Sequence, residues 1–148
     1  AANADTLHLV VRKPKPEEID RAKQILARAP GQMQVRPEGV YAKETIAMSD
    51  YPDTVPVPVQ AMRVGDLGIA AIPCEVFVEI GLDLKKTKVL DDHFTISLAN
   101  GYNGYLPTPE HHRLGGYETW RARSSYLETN ASTVITKNLK EMLAELAK

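Results

Sequence analysis

The chain has 148 residues, of which 43% are hydrophobic and 25% charged, with a formal net charge of -1. That length fits one domain with a reasonable core, and the interspersed charges exclude a basic nucleic-acid stripe or a charged tail. The single cysteine, Cys74, excludes an internal disulfide framework and a thiolate-only metal site, and no apolar run approaches the ~20 residues that span a membrane. Ala1 to Val11 has neither the basic start nor the apolar centre of a signal peptide. It also lacks an initiator methionine, which points to a processed chain or a piece of a longer one.

Taken in order, Leu7 to Val11 reads as a short strand that Pro14 and Pro16 stop. Pro16-Glu17-Glu18 is a favourable helix start, with proline in the first turn and carboxylates at the positive end of the dipole. Ile19, Ala22, Ile25 and Leu26 share a face, so Pro16 to Ala29 is predicted to be an amphipathic helix ended by Pro30-Gly31. Gly39 to Asp50 is a weaker helix, broken at Tyr51-Pro52-Asp53. Val55, Val57 and Val59 alternate with Pro56, Pro58 and Gln60. The alternation predicts a strand running on to Val64, and the two prolines predict an edge or an irregular entry, because proline cannot donate to a ladder.

Gly65-Asp66 is a tight-turn signal. Leu67 to Pro73 is a near-continuous apolar run, as expected of a strand covered on both faces. Val76 to Lys86 shows helical spacing, with Glu75 just ahead of it in a first-turn position, and Phe94 to Ala99 is the next strand. Ser132 is a candidate N-cap, and Ile135, Leu139, Met142 and Leu146 step along one face of a C-terminal amphipathic helix. The fold class is therefore a single α/β domain: a mixed sheet with a βαβ unit from Leu67 to Ala99, flanking helices and a helix at the C-terminus.

The βαβ unit has a functional consequence. Its two strands are parallel and end at one edge of the sheet, and ligands of open α/β sheets bind beyond the carboxyl ends of strands. Glu75 follows the first strand and Asn100-Gly101-Tyr102 the second, so the two are predicted to meet. The second strand leads into Ile96 to Trp120, with no ordinary helix pattern. This segment carries Tyr102, Tyr105 and Tyr117, the His111-His112 pair, the only tryptophan and four of the nine glycines. Long irregular segments in compact chains are often functional.

Glu75 reads either as a dipole-stabilised first-turn carboxylate or as a ligand or base in a cleft. Tyr102 and Tyr105 flank the turn dipeptide Asn103-Gly104. Tyrosines in such a loop cap a core or serve a site. Adjacent histidines on an extended chain point opposite ways, so His111-His112 is expected to be an exposed loop pair rather than a metal site. His8 and His93 read as structural or surface residues. Cys74 has no partner histidine at a recognisable spacing and reads as a buried thiol. Arg121 and Arg123, beside Trp120, suit surface salt bridges better than an anion site. Asn130-Ala131-Ser132 matches a glycosylation sequon but is better explained as a helix cap.

Two motifs resemble the neutral/alkaline non-lysosomal ceramidase family. Ile72-Pro73-Cys74-Glu75 is similar to the family's I-P-G-E at a strand end. Leu98-Ala99-Asn100-Gly101-Tyr102-Asn103-Gly104-Tyr105, continuing through Thr108-Pro109-Glu110 to Gly116-Tyr117-Glu118, is similar to L-A-N-x-Y-x-x-Y, then T-x-E-E, then a Y-E pair. The resemblance covers roughly Leu67 to Glu118. It implies a zinc-dependent hydrolase of linear amide bonds, releasing a fatty acid and a sphingoid base from an amide lipid such as N-acylsphingosine. It places a zinc-ligand glutamate at Glu75, a zinc-ligand tyrosine at Tyr105 and a site-lining catalytic tyrosine at Tyr117. It also implies an extracytoplasmic or secreted protein.

The chain departs from the family in four places. Cys74 stands for a glycine, His111 for the second glutamate of T-x-E-E, and Thr119 to Ser125 for a run of small residues bordering the pocket. The family's two histidine ligands and its active-site serine lie in an N-terminal part without counterpart here. The resemblance thus implies the C-terminal portion of a longer enzyme. Its partner would be the missing N-terminal part of the same protein, and the portion alone would be inactive. A reading of a different class is a non-catalytic binding domain that uses the aromatic surface from Tyr102 to Trp120.

Overall fold

The computed structural model describes residues 1–28 and 36–148. The expected helix end at Ala29-Pro30-Gly31 lies outside the described residues. Strand β1 (Ala2–Val10) is followed by helices α1 (Pro16–Arg28) and α2 (Pro37–Ser49), then by strands β2 (Thr54–Val64) and β3 (Leu67–Ala71). After them come the two-residue strand β4 (Glu75–Val76), helix α3 (Val78–Lys85), strand β5 (Asp92–Ile96) and the two-residue strand β6 (Tyr105–Leu106). Helix α4 (Pro109–Leu114), a 3-10 turn at Tyr117–Thr119 and helix α5 (Ala131–Leu146) complete the chain. Among the described residues, no helix is long and apolar enough to cross a membrane.

The main sheet has the order β1-β2-β3-β5, antiparallel at its first two interfaces and parallel between β3 and β5. The βαβ unit is therefore present, with α3 as the crossover. Gly65, at φ 60°, makes the two-residue turn between β2 and β3, a backbone conformation that glycine adopts without strain. Val57, Val59 and Ala61 of β2 turn into the core. There they join Ile72, Leu84 and the buried face of α5, where Ile135, Leu139 and Leu143 are at most 1% exposed.

β2 is an interior strand, yet its prolines occupy an edge. Ala1 and Arg63 exchange both backbone hydrogen bonds, so odd-numbered residues of β2 bond to β1. Pro56 and Pro58 then face the other side. Pairing with β3 stops at Gln60 opposite Ala71, so no ladder donor is needed at either proline. The expected edge exists, confined to the half of β2 that runs past β3.

Four local expectations are corrected. Val78 opens α3, with Phe77 as its N-cap, and Glu75 belongs to β4, so it is not a first-turn carboxylate. β5 stops at Ile96, because Leu98 and Asn100 take positive φ and turn the chain out of the sheet. The segment from Ile96 to Trp120 does contain a helix, α4. Thr108 caps it and Pro109 occupies its first turn, an arrangement favourable for helix initiation. Finally, Asn130 is the N-cap of α5, and Ser132 lies inside the helix with a buried hydroxyl that finds no partner among the described residues.

Candidate functional site

Past the end of β3 the chain runs through Ile72 to Cys74 and pairs β4 with β6 in parallel, Glu75 opposite Tyr105. The Glu75 N–H donates to the Gly104 carbonyl at 2.9 Å, and the Asn103 N–H donates to the Pro73 carbonyl at 2.7 Å. Residues in register on neighbouring strands share a face about 5 Å apart, so this two-stranded ribbon fixes the Glu75 carboxylate beside the Tyr105 phenol. Tyr102 approaches from the turn before β6 and donates its hydroxyl to Glu75 Oε1 at 3.0 Å. The convergence inferred from the strand ends is thus present in the fold.

The turn is shaped by one glycine and one buried amide. Gly104 has φ 75°, and any Cβ there would collide with the Ser124 backbone carbonyl. The side chain of Asn103 is buried and accepts the Tyr126 hydroxyl at 2.7 Å. That bond anchors the turn between Tyr102 and Tyr105 to the core.

The 3-10 turn brings Tyr117 against Tyr105, with ring centroids 5.9 Å apart in an edge-on arrangement. Side-chain hydrogen bonding with Tyr117, and then the Glu75 charge, push the Tyr105 phenol up to about 12. Partial burial, followed by the bond to Glu75, raises the Tyr102 phenol. Both groups are therefore neutral donors near neutral pH. A carboxylate surrounded by phenolic donors can hold a cation or orient a polar substrate.

Glu75 is an ordinary carboxylate donor for zinc, whereas Tyr105, held as a neutral phenol, would have to lose its proton to join it, so the pair fits a zinc site only in part. Among the described residues, no third histidine, cysteine, aspartate or glutamate completes a metal cluster. Cys74 is fully buried, and burial pushes its thiol up to about 12. It is neither an available nucleophile nor a ligand.

The histidine pair lies in α4, not in a loop, which corrects the expectation of an exposed loop pair. His111 Nδ1 sits 2.7 Å from Thr108 Oγ1 in a capping box. The same ring packs on Phe77 at 4.5 Å between centroids and stands 3.6 Å from a Glu79 carboxylate. It fastens α4 to α3 and takes no part in the tyrosine cluster. His93 is partly buried in β5 and His8 is exposed on β1, as expected of structural and surface residues.

The segment after Tyr117 is held by contacts that no local pattern announces. Arg12 Nε donates to the Leu127 carbonyl, Nη1 to Thr119, and Nη2 to both the carbonyl and the hydroxyl of Ser125, all at 2.8–3.0 Å. Arg121 pairs with Glu18 of α1 at 3.0 and 3.2 Å, and Arg123 with Glu44 of α2 at 2.7 and 3.0 Å. Both arginines are thus salt-bridge residues, as anticipated, and the bridges are long-range. Trp120 meets Tyr41 of α2 edge-on, with centroids 5.0 Å apart and ring planes at 76°. Tyr41 escaped the sequence reading because α2 has little amphipathic pattern to single out any of its residues.

No protein-family model and no curated protein sequence matches the chain. Among solved structures, it is similar to neutral ceramidase from Pseudomonas aeruginosa, with a TM-score of 0.61 and 17% identity over 99% of this chain and 28% of that one. It is also similar to a ceramidase complexed with C2, with a TM-score of 0.53 and 19% identity over 67% of this chain and 16% of that one. The chain therefore spans about a quarter of the length of the first of these proteins, and at such identities the likeness is one of fold. In fold, this α/β chain is a neutral ceramidase-like region.

Proposed function

We propose that this chain supplies one wall of the active site of a zinc-dependent amide hydrolase of the ceramidase kind, acting on N-acylsphingosine or a related amide lipid. The observation that carries the reading is the register pairing of Glu75 with Tyr105, with Tyr117 packed on the second of them. Glu75 and Tyr105 would be two zinc ligands, and the remaining ligands would come from an N-terminal part of the same protein. When bound, zinc lowers the pKa of a coordinated water and polarises an amide carbonyl.

Within this chain, Tyr102 orients the Glu75 carboxylate through its hydrogen bond. Tyr117 holds the Tyr105 ring in place and lines the site with an exposed hydroxyl able to donate to the oxygen of a bound amide. The β4–β6 ribbon keeps these groups at fixed spacing, which is what positioning contributes to catalysis. The neutral ceramidase-like fold supports the reading, since the ribbon falls within the span where the two motifs resemble that family.

Calorimetric titration of the 148-residue chain with zinc tests it. Two donors predict weak binding that disappears in Glu75→Ala and weakens in Tyr105→Phe. Binding that survives Glu75→Ala sinks the assignment of ligands. Tight, stoichiometric binding that is lost in Glu75→Ala would show a complete site and remove the need for a second part.

A further inference from the structure

Helix α3 crosses from β3 to β5 and leaves part of its own apolar surface uncovered. Its Gly81 lies over Thr95, where an added Cβ would sit 3.7 Å from the Thr95 hydroxyl. Val78 and Leu82 share a face of α3, being four positions apart, and are 68% and 51% exposed. With Val76, Phe77, Phe94 and Thr95 they line a groove of about 270 Å³ between α3 and the outer edge of β5. No strand lies beneath that face, because β5 is the last strand of the sheet among the described residues.

The backbone of β5 determines what the groove presents. The Ile96 carbonyl accepts the Ile72 N–H, and the Asp92 N–H donates to the Asp66 carbonyl, so even-numbered residues of β5 bond to β3. The alternate residues, His93 and Thr95, then turn both backbone groups outward. Thr95 Oγ1 is also buried without a hydrogen-bond partner among the described residues. The opposite edge of the sheet is dressed differently. On β1 the Thr6 N–H donates to Asp5 and the Val10 N–H to Glu128, a cover that β5 lacks among the described residues. A hydrocarbon chain in the groove would take water from these N–H and C=O groups and give nothing back, at about 1–3 kcal/mol for each. A strand gives back both, since its backbone completes the ladder while alternate side chains reach Val78 and Leu82.

We propose that the groove receives a strand, parallel to β5, from a part of this same protein that precedes Ala1. Strands β3 and β5 end together, and the end of β5 is tied to the neighbours of Glu75. Ser97 Oγ donates to the Cys74 carbonyl and accepts the Val76 N–H. A further strand running the same way ends there too, so the loop that follows it arrives beside the incomplete donor set of Glu75 and Tyr105. A second copy of this chain would meet the edge about a two-fold axis, which pairs β5 with itself antiparallel. Its strand ends would lie at the far edge of the sheet and bring nothing to Glu75. The chain covers 28% of the neutral ceramidase it is similar to in fold, so a fold of that kind has chain to supply the strand. That the groove takes a strand stands by itself, and the strand's source and direction rest on the hydrolase reading.

Amide hydrogen exchange read by NMR tests this, on the 148-residue chain and on the chain extended by the residues encoded before Ala1. The His93 and Thr95 amides should exchange fast in the first. In the second they should slow by roughly a hundredfold or more, as open-edge amides do on entering a ladder. Thr95→Pro removes an outward N–H, a change that an edge strand tolerates. Leu82→Glu charges the groove wall at an exposed position and keeps the test if Thr95→Pro disturbs β5. In the extended protein each variant should return the His93 amide to fast exchange. Zinc titration of the same two proteins separates the readings. Slowed amides without tighter zinc binding sink the hydrolase reading alone, and tighter zinc binding with fast amides sinks the docking alone. Exchange that stays fast in the extended protein, slowing in the 148-residue chain that grows with its concentration, protection indifferent to both variants, or a gene with no residues before Ala1 overturns the proposal.

Discussion

Tyr102 donates its phenolic hydrogen to Glu75 Oε1 at 3.0 Å, although the two residues lie 27 positions apart. The bond places a neutral donor on a carboxylate, and the carboxylate in turn disfavours the phenolate. Removing the charge in Glu75→Gln should therefore lower the pH at which Tyr102 and Tyr105 ionise, since Glu75 raises both. Tyr102 should fall only part of the way, because burial is the larger cause of its shift. Ultraviolet difference titration of Glu75→Gln, with Tyr102→Phe to assign the signal, measures this. Coincident titration curves for wild type and Glu75→Gln would show that the carboxylate does not govern the cluster.

Gly104 sets the spacing between Tyr102 and Tyr105. Alanine there would have to hold φ 75° and would push a methyl group into the Ser124 carbonyl, the residue to which the Tyr105 N–H donates at 2.8 Å. Backbone strain and displacement together should cost about 2–4 kcal/mol. Urea denaturation of Gly104→Ala measures the loss, and a stability within experimental error of wild type contradicts the geometry. Gly115→Ala is the contrast, since a Cβ at Gly115 meets nothing nearby. Its cost should be confined to the backbone, whose φ of 87° and ψ of -167° only glycine ordinarily adopts, about 1–3 kcal/mol.

The meeting of Glu75 with the tyrosines was legible because it follows from strand order: parallel strands joined by one helix must end at the same edge. The βαβ unit and α5 were legible for a similar reason, each resting on a long apolar pattern. Helix α4 was not, because it is six residues long and buries none of them, which leaves no periodicity to find. Its one signal was Thr108-Pro109, a cap followed by a first-turn proline. The partners of Arg12, Arg121 and Arg123 were beyond reach. Arg121 meets Glu18 across 103 positions and Arg123 meets Glu44 across 79, and charge pairing at that separation leaves no trace in local sequence. Tyr41 was lost in the same way, since only the tertiary approach of α2 brings it to Trp120.

Arg12 is the residue whose removal should most disturb the segment carrying Tyr117 and Trp120. Its guanidinium satisfies the carbonyls of Thr119, Ser125 and Leu127 at once. Lysine offers one ammonium in place of that planar fork and cannot serve three diverging acceptors. Arg12→Lys should therefore cost nearly as much as Arg12→Ala, about 2–4 kcal/mol by denaturant unfolding, and should alter the Trp120 emission of the folded protein. If Arg12→Lys retains wild-type stability and emission, the contribution is one of charge rather than of directed hydrogen bonds.

Acid should release the Trp120 flank before the fold is lost. The hydrogen-bonded guanidinium of Arg121 holds the Glu18 carboxyl below its ordinary value of 4.5, and that of Arg123 does the same for Glu44. A depressed carboxyl contributes stability that is present above the unfolded value and is lost as pH falls through the folded one. The window therefore opens just below 4.5 and extends downward. Partly exposed ion pairs contribute about 0.2–1 kcal/mol each, too little to unfold the chain but enough to loosen the side chains of Arg121 and Arg123 around Trp120. Trp120 emission should change reversibly in that window while far-ultraviolet circular dichroism stays constant. Glu44→Gln, which cannot titrate, should show the altered emission already at neutral pH and a smaller acid response. Emission and circular dichroism changing together, at a pH indifferent to Glu44→Gln, would mean that the ion pairs do not anchor Trp120.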